Sequence, residues 1–500
     1  MVERNGDTSR NMKKVMVFCD GTWCGQLTGT KTNVKILADA IAGYEVKVGE
    51  PLPSTIDSNI TVCYFDGEGV QGNFSDYILD GALGGNIKHD CLKAYRVIMD
   101  EFENTSGNCE AWLIGLSRGS YTVRSVAGLI NNCGIISRSV LQSHLARDEP
   151  LTNEEMEDLI NRAYDYYRDR TLTYMPDTDY MKEWRKNHSR ETERPPIKFM
   201  GLFETVGSLG IPSLNPGQGV EYYGTLNFYG KQEEGASGVS GEVERVYQAL
   251  AVHDRMTAFS PCHVKRDKPN DQFYYNEIKK LGIKYETEER WFPGAHYDLG
   301  RQKFMFFKSP SLCAPELKEL SFRKWVMEIA TRAVQKSISF WLTRLLRIPD
   351  IHPETTYSET VLLWMMEKMI DTDSDIFGYL RTTVRSEEVE TVPWSLKLYD
   401  WLTLKPAPLY NDAYDQLVEK RYLSVFLFPL AHQFLVTIFT RYLLKDRTIL
   451  DPPLPSAPSS TPPAPPVQFE KSHGFDADLR ASARYRSRSY DAYLLEQNIR

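Results

Sequence analysis

Short, unbroken apolar runs alternate with helical periodicities through the first 300 residues. Val15 to Cys19 is one such run and stops at Asp20-Gly21-Thr22; Ile60 to Phe65 is another and stops at Asp66-Gly67. Apolar runs of this length without polar alternation predict strands buried on both faces, as in a parallel sheet. Ile87, Cys91, Tyr95, Ile98 and Phe102 then recur at helical spacing, followed by the turn residues Asn104 to Asn108. Ala111 to Leu116 reads as a third strand. Directly after Ser117, the residues Val123, Val126, Ala127 and Ile130 form the apolar stripe of a helix that Gly134 would stop. The order strand, helix, strand, sharp turn, helix predicts an α/β fold built on a doubly wound, mostly parallel sheet.

Residues 137–195 interrupt the pattern with charged, tyrosine-rich sequence and are expected to form a helical insertion, placed to act as a lid. The sheet resumes at Ile197 to Phe203 and near Arg290 to Pro293. Between them the sequence reads as a Gly-rich loop, Gly235 to Gly241, and a helix through Val246, Leu250 and Val252. These elements divide the chain into a disordered N-terminus (1–12), a catalytic α/β domain (13–320), a mostly helical region (321–450) and a Pro-rich linker with a disordered tail (451–500).

Composition narrows the function. With 500 residues, 42% hydrophobic, the chain can bury a large core. Its 59 basic and 67 acidic residues are interspersed, which argues against a nucleic-acid partner. The eight cysteines show no C-x-x-C pair and no zinc-like spacing, so buried free thiols are expected, with no metal and no organic cofactor. The N-terminal segment has charges but no apolar signal stretch, which predicts an intracellular protein, cytoplasmic or peripherally attached to a membrane. Two segments bear on that attachment: a basic helix at 322–347, and the uncharged run Tyr422 to Thr440, which carries Pro429, His432 and Gln433. The run is readable as a buried helix, an interfacial helix or a span. The sequence leaves the oligomeric state open.

The chemistry centres on Gly115-Leu116-Ser117-Arg118-Gly119, a G-x-S-x-G motif. Chance matches are expected on the order of 0.1 times per chain of this composition, so the pentapeptide alone is weak. Its context is specific, because an apolar strand runs into the serine and an amphipathic helix leaves it. The Arg118 N–H would then serve an oxyanion hole, with a second donor near Gly21, while Asp20 or Thr22 braces the site. A serine nucleophile needs a base and an orienting acid, in the order serine, acid, histidine for this fold. Glu204 follows the strand Ile197 to Phe203 and His296 lies in Pro293-Gly294-Ala295-His296-Tyr297-Asp298, with His253 as the competing base.

Together these residues resemble the catalytic domain of the type VI secretion phospholipase effectors, an α/β-hydrolase family. The likeness runs from Lys14 to Gly300. It rests on Val17 to Trp23, Thr32-Asn33-Val34, Gly81 to Ile87, Gly115 to Ser120, Phe203 to Gly207 and Trp291 to Gly300. The resemblance implies a triad of Ser117, Glu204 and His296, with Asp298 as a supporting residue of the His-x-Asp pattern. Departures from the family pattern are Glu204 in place of aspartate, His253 where an acid is common, Cys24-Gly25 in place of asparagine, and Arg301-Gln302 in place of glycines. The expected function is hydrolysis of a carboxylic ester, a lipid or phospholipid ester included, through an acyl-enzyme. A thioesterase or peptidase, and an inactive scaffold or membrane-attached binding module, are the alternatives.

Overall fold

The computed structural model describes most of residues 12–67, 87–206, 237–302 and 353–380. The proposed helix at 322–347, the run Tyr422 to Thr440, the N-terminal 1–11 and the Pro-rich tail lie outside the described residues.

In chain order the elements are β1 (Lys13–Cys19), α1 (Asn33–Ala42), β2 (Leu52–Pro53), β3 (Ile60–Phe65), α2 (Ile87–Asn104), β4 (Cys109–Leu116) and α3 (Arg118–Cys133). The insertion contributes β5 (Ile135–Ile136), α4 (Arg138–His144), α5 (Asn153–Arg168), α6 (Asp179–His188) and β6 (Ser189–Arg190). There follow β7 (Ile197–Phe203), β8 (Ser237–Gly238), β9 (Val243–Ala251), β10 (Val264–Lys265), β11 (Glu286–Phe292), the short α7 (His296–Leu299), α8 (Thr355–Thr372) and α9 (Ser374–Phe377).

Seven strands form one sheet in the order β11-β9-β7-β4-β1-β3-β2, parallel throughout except for β2 at the edge. Helices cover both faces, as the alternation of strand side chains requires. Val15, Val17 and Cys19 of β1, with Ala111 and Leu113 of β4, pack against α2 and α3. Met16 and Phe18, with Trp112, Ile114 and Leu116, face α1 and the Met-rich α8, which adds Met365, Met366 and Met369. This is the α/β architecture that the sequence pattern predicts. The strands Val15 to Cys19, Ile60 to Phe65 and Ile197 to Phe203 fall where the apolar runs place them.

One expected element changes type. The segment through Val246, Leu250 and Val252 is not a helix but the strand β9, hydrogen-bonded between β7 and β11. A central strand is buried on both faces, so its pattern VERVYQALA shows no period of two, and short apolar runs cannot be told from helix by periodicity. β9 is the missing middle rung between the strand before Glu204 and the strand before His296.

The described part of the insertion forms helices, and α5 and α6 pack by one face on the body of the fold. Met156, Ile160, Ala163, Tyr164, Tyr167, Met181 and Trp184 join the core on the α2 and α3 side. The Tyr167 ring fills the space beside Gly128 of α3, where a Cβ would meet it at 2.7 Å. The described helices of the insertion are therefore an outer layer of the fold, anchored by burial. Seven cysteines are unpaired among the described residues, and all but Cys262 are buried. No described helix is long and apolar enough to cross a membrane.

Candidate active site

The strands β4, β7, β9 and β11 are parallel and adjacent, so the residues that follow them collect at one edge of the sheet, where sites of open α/β sheets form. Ser117 is the single residue between β4 and α3. Its backbone stands at φ 58°, ψ −118°, a region that costs a residue with a Cβ about 1–3 kcal/mol. The flanking glycines have a steric cause. A Cβ on Gly119 would lie 2.1 Å from the Cys19 carbonyl oxygen, and one on Gly115 would lie 2.6 Å from the Gly119 backbone. The turn is sewn to the next strand: the Ser117 N–H donates to the Phe203 carbonyl at 2.9 Å, and the Val206 N–H donates to the Ser117 carbonyl at 3.3 Å.

Glu204 begins that neighbouring loop. It is fully buried and also has positive φ, 48°. Oε1 accepts the Ala251 N–H at 2.8 Å, and Oε2 lies 2.7 Å from His296 Nδ1. A carboxylate in that position places the imidazole hydrogen on Nδ1 and leaves the lone pair on Nε2. Among the described residues no hydrogen bond engages Nε2. The residue is held from two further sides: its backbone N–H donates to Asp254 Oδ2 at 3.0 Å, and the Phe259 ring stacks on the imidazole at 4.7 Å and 9°. The structure thus brings Glu204 and His296 together, with Ser117 on the adjoining turn.

His253 has a different place. It follows β9, and its Nδ1 accepts the Gly294 N–H at 2.7 Å while its own N–H donates to the Gly294 carbonyl. Burial pushes its pKa down to about 3, which keeps the ring neutral. It pins the turn that carries His296.

Asp20 is buried and accepts three hydrogen bonds, from Thr32 Oγ1 at 2.6 Å, Tyr64 Oη at 2.7 Å and the Gly21 N–H at 2.9 Å. Burial outweighs these bonds and pushes its pKa up to about 6. The Gly21 N–H is therefore directed at Asp20 and not toward a substrate oxyanion. Thr22 lies outside the described residues. Arg118 lines a cavity of about 10 Å³, one water in size, with Asp20, Asp66 and Asp90. Asp298 Oδ2 accepts the Ala295 N–H at 2.7 Å and caps the helix that starts at His296. Among the described residues no group of side chains is arranged to hold a metal ion.

Two supports were not recognised in the sequence. Asn33 sends Nδ2 to the carbonyls of Leu299 at 2.7 Å and Ser358 at 2.9 Å, tying α1 to the histidine segment and to α8. Gln248 of β9 accepts both the N–H and the hydroxyl of Thr205, at 3.1 and 2.5 Å, so it grips the residue after Glu204. Its Nε2 donates to Glu289 Oε1 at 2.6 Å and to the Cys262 carbonyl at 3.1 Å. Arg124, on the helix behind Ser117, donates to that same Cys262 carbonyl at 2.7 Å and to the His263 carbonyl at 3.1 Å. One polar network thus joins the nucleophile helix, the acid loop and β11. A glutamine inside the apolar strand VYQALA was the visible signal.

Residues 13–310 match the family model described as the catalytic domain of the Tle1-like phospholipase effectors of the type VI secretion system. An uncharacterised protein of Saccharomyces cerevisiae is 25% identical over 139 residues, 27% of this chain and 17% of its own length. Among solved structures, the Tle1 effector bound to the VgrG spike of the type 6 secretion system is 15% identical, with a TM-score of 0.26; the match covers 58% of this chain and 51% of that one. An uncharacterised protein from Pseudomonas aeruginosa is 12% identical with a TM-score of 0.26, covering 86% and 63%. The chain therefore matches less than a fifth of the yeast protein and about half of the Tle1 effector.

Proposed function

The chain belongs to the family of Tle1-like phospholipase effector catalytic domains, whose model it matches over more than half its length, and on that premise we propose that it is a serine hydrolase of carboxylic esters, phospholipid esters above all. The observation that carries this reading is the 2.7 Å contact of Glu204 Oε2 with His296 Nδ1 beside a serine held at φ 58° in a strand-to-helix turn.

Ser117 Oγ attacks the ester carbonyl carbon, and its proton passes to His296 Nε2. Glu204 holds the imidazole through Nδ1–H and offsets the charge of the imidazolium. The negative charge on the carbonyl oxygen is met by the Arg118 N–H at the head of α3, a donor of a kind worth about 3–4 kcal/mol where it has been measured. Collapse expels the alcohol, which takes the proton from Nε2 and leaves an acyl group on Ser117. A water molecule then repeats the sequence, giving the proton to His296 and releasing the acid.

The test is labelling with a fluorophosphonate, which reacts with activated serines, together with fatty-acid release from phospholipid vesicles. Wild type should label and release acid, and Ser117→Ala should do neither. Labelling that survives Ser117→Ala would move the nucleophile elsewhere.

A further inference from the structure

Phe259 lies between Asp254 and Cys262, two points of the chain that are tied to the histidine and to the acid. Upstream, His253 and Asp254 hold the backbone of Gly294 and His296. Downstream, Pro261 forms an antiparallel bridge with Val206, and the Cys262 N–H donates to the Thr205 carbonyl at 2.8 Å. Arg124, from the helix behind Ser117, donates to the Cys262 carbonyl at 2.7 Å. The backbone contacts that flank position 259 are thus contacts to the segments that carry His296, Glu204 and Ser117.

The side chain is half-buried and is not among the residues of either apolar core, so core filling does not account for its place. It meets two rings. One is the His296 imidazole, parallel to it at 4.7 Å and 9°, and the other is Tyr297, perpendicular to it at 5.3 Å and 86°. Tyr297 in turn stands edge-on to the imidazole at 5.6 Å and 85°.

A hydrogen bond from Nδ1 to Glu204 fixes one edge of the imidazole but leaves the ring free to rock about the N···O line, because the terminal torsion of histidine is broad. A parallel ring on its face removes that freedom and keeps Nε2 in one direction. The stack also responds to charge. The negative face of a phenyl ring attracts a cation within about 6 Å of its centroid, so Phe259 binds the imidazolium more strongly than the neutral imidazole. Only such a difference between the two states lowers a barrier, and acylation and deacylation both pass through the imidazolium. We propose that Phe259 is a positioning residue of this site, holding the His296 ring in register and meeting the positive charge that the ring carries during proton transfer, an inference that rests on the serine-hydrolase reading.

The test uses the full chain and turnover of p-nitrophenyl butyrate, with phenylalanines carrying one, two and three ring fluorines introduced at position 259 through a reassigned stop codon. Fluorine drains the π-face while the ring keeps nearly the same shape, so the attraction for a cation is removed and the packing is left. Along the series kcat should fall stepwise, by about tenfold at three fluorines, equivalent to about 1.4 kcal/mol, with KM and melting temperature unchanged. Phe259→Leu, which removes the face, should lower kcat by about tenfold or more, whereas Phe259→Trp, the stronger cation binder, should keep it within about threefold. A level kcat along the fluorinated series, or a fall that follows the melting temperature, would overturn the proposal and leave Phe259 as packing. Fluorophosphonate labelling run alongside distinguishes the two levels of failure. Labelling that depends on Ser117 together with a level series sinks the role of Phe259 alone, and labelling that Ser117→Ala retains sinks both.

Discussion

Replacing Ser117 separates the cost of its backbone from its chemistry. At φ 58°, ψ −118° the Cβ is strained, and the strain is about 1–3 kcal/mol. Alanine keeps the Cβ and the strain, whereas glycine relieves it. Against this relief, glycine loses about 0.5–1 kcal/mol relative to alanine through the freedom of the unfolded chain. The difference leaves Ser117→Gly more stable than Ser117→Ala by about 1 kcal/mol at the middle of these ranges and by up to about 2.5 kcal/mol, the reverse of the usual order. For a chain of this size that is a few degrees in melting temperature, and chemical denaturation of both variants under one condition measures it directly. Both variants should fail to label with fluorophosphonate. An alanine variant as stable as the glycine variant, or more so, would refute the claim that folding energy is stored at the turn.

Glu204→Gln keeps the bond to the Ala251 N–H but can present an N–H to His296 Nδ1, favouring the wrong tautomer; kcat should fall on the order of 10³–10⁴ with little change in fold, read by ester turnover and circular dichroism. Gln248→Leu strands the two Thr205 donors and a Glu289 oxygen, so denaturation should show a loss of about 2–4 kcal/mol, and kcat should fall more than KM rises. Asp20 has its pKa raised to about 6 by burial, so its proton stabilises the fold fully below about pH 4, and that contribution is lost as pH rises through 6. Denaturation between pH 4 and 7 should show a steeper decline in wild type than in Asp20→Asn, by about 3 kcal/mol in total; parallel slopes would remove Asp20 as the cause.

The strands and helices flanking Ser117 were legible because each writes its period in a stretch of local sequence. Val15 to Cys19 and Ala111 to Leu116 are unbroken because both sheet faces are covered, and Gly134 stops α3 where the stripe ends. The same double burial hid β9, whose apolar residues mimic a helical stripe. Glu204 and His296 could be picked out by their positions after strands, but Asp254, Asn33 and Gln248 could not. Their partners lie 42 to 325 residues away along the chain, and no local pattern reports a contact across that distance. In the insertion, charge and tyrosine content describe the outer surface, whereas Met156, Ile160 and Trp184 decide where its helices pack.

The strand order also sets when the protein becomes chemically competent during its own synthesis. β1, β3 and β4 form the middle and one side of the sheet, and their residues leave the ribosome first, together with Ser117. The strands that deliver Glu204 and His296 are added on the other side afterwards. The 179 residues from Arg118 through His296 take about 10–40 s to translate. Ser358, whose hydroxyl holds the Asp298 carbonyl at 2.6 Å, arrives later still. Nascent chains arrested before residue 296 should therefore present a shaped turn that fails to react with fluorophosphonate, and labelling of such chains would contradict this. On the proposed mechanism the chain has no working base while it is still tethered beside other nascent proteins and membranes, and acquires one only when the far edge of its sheet closes.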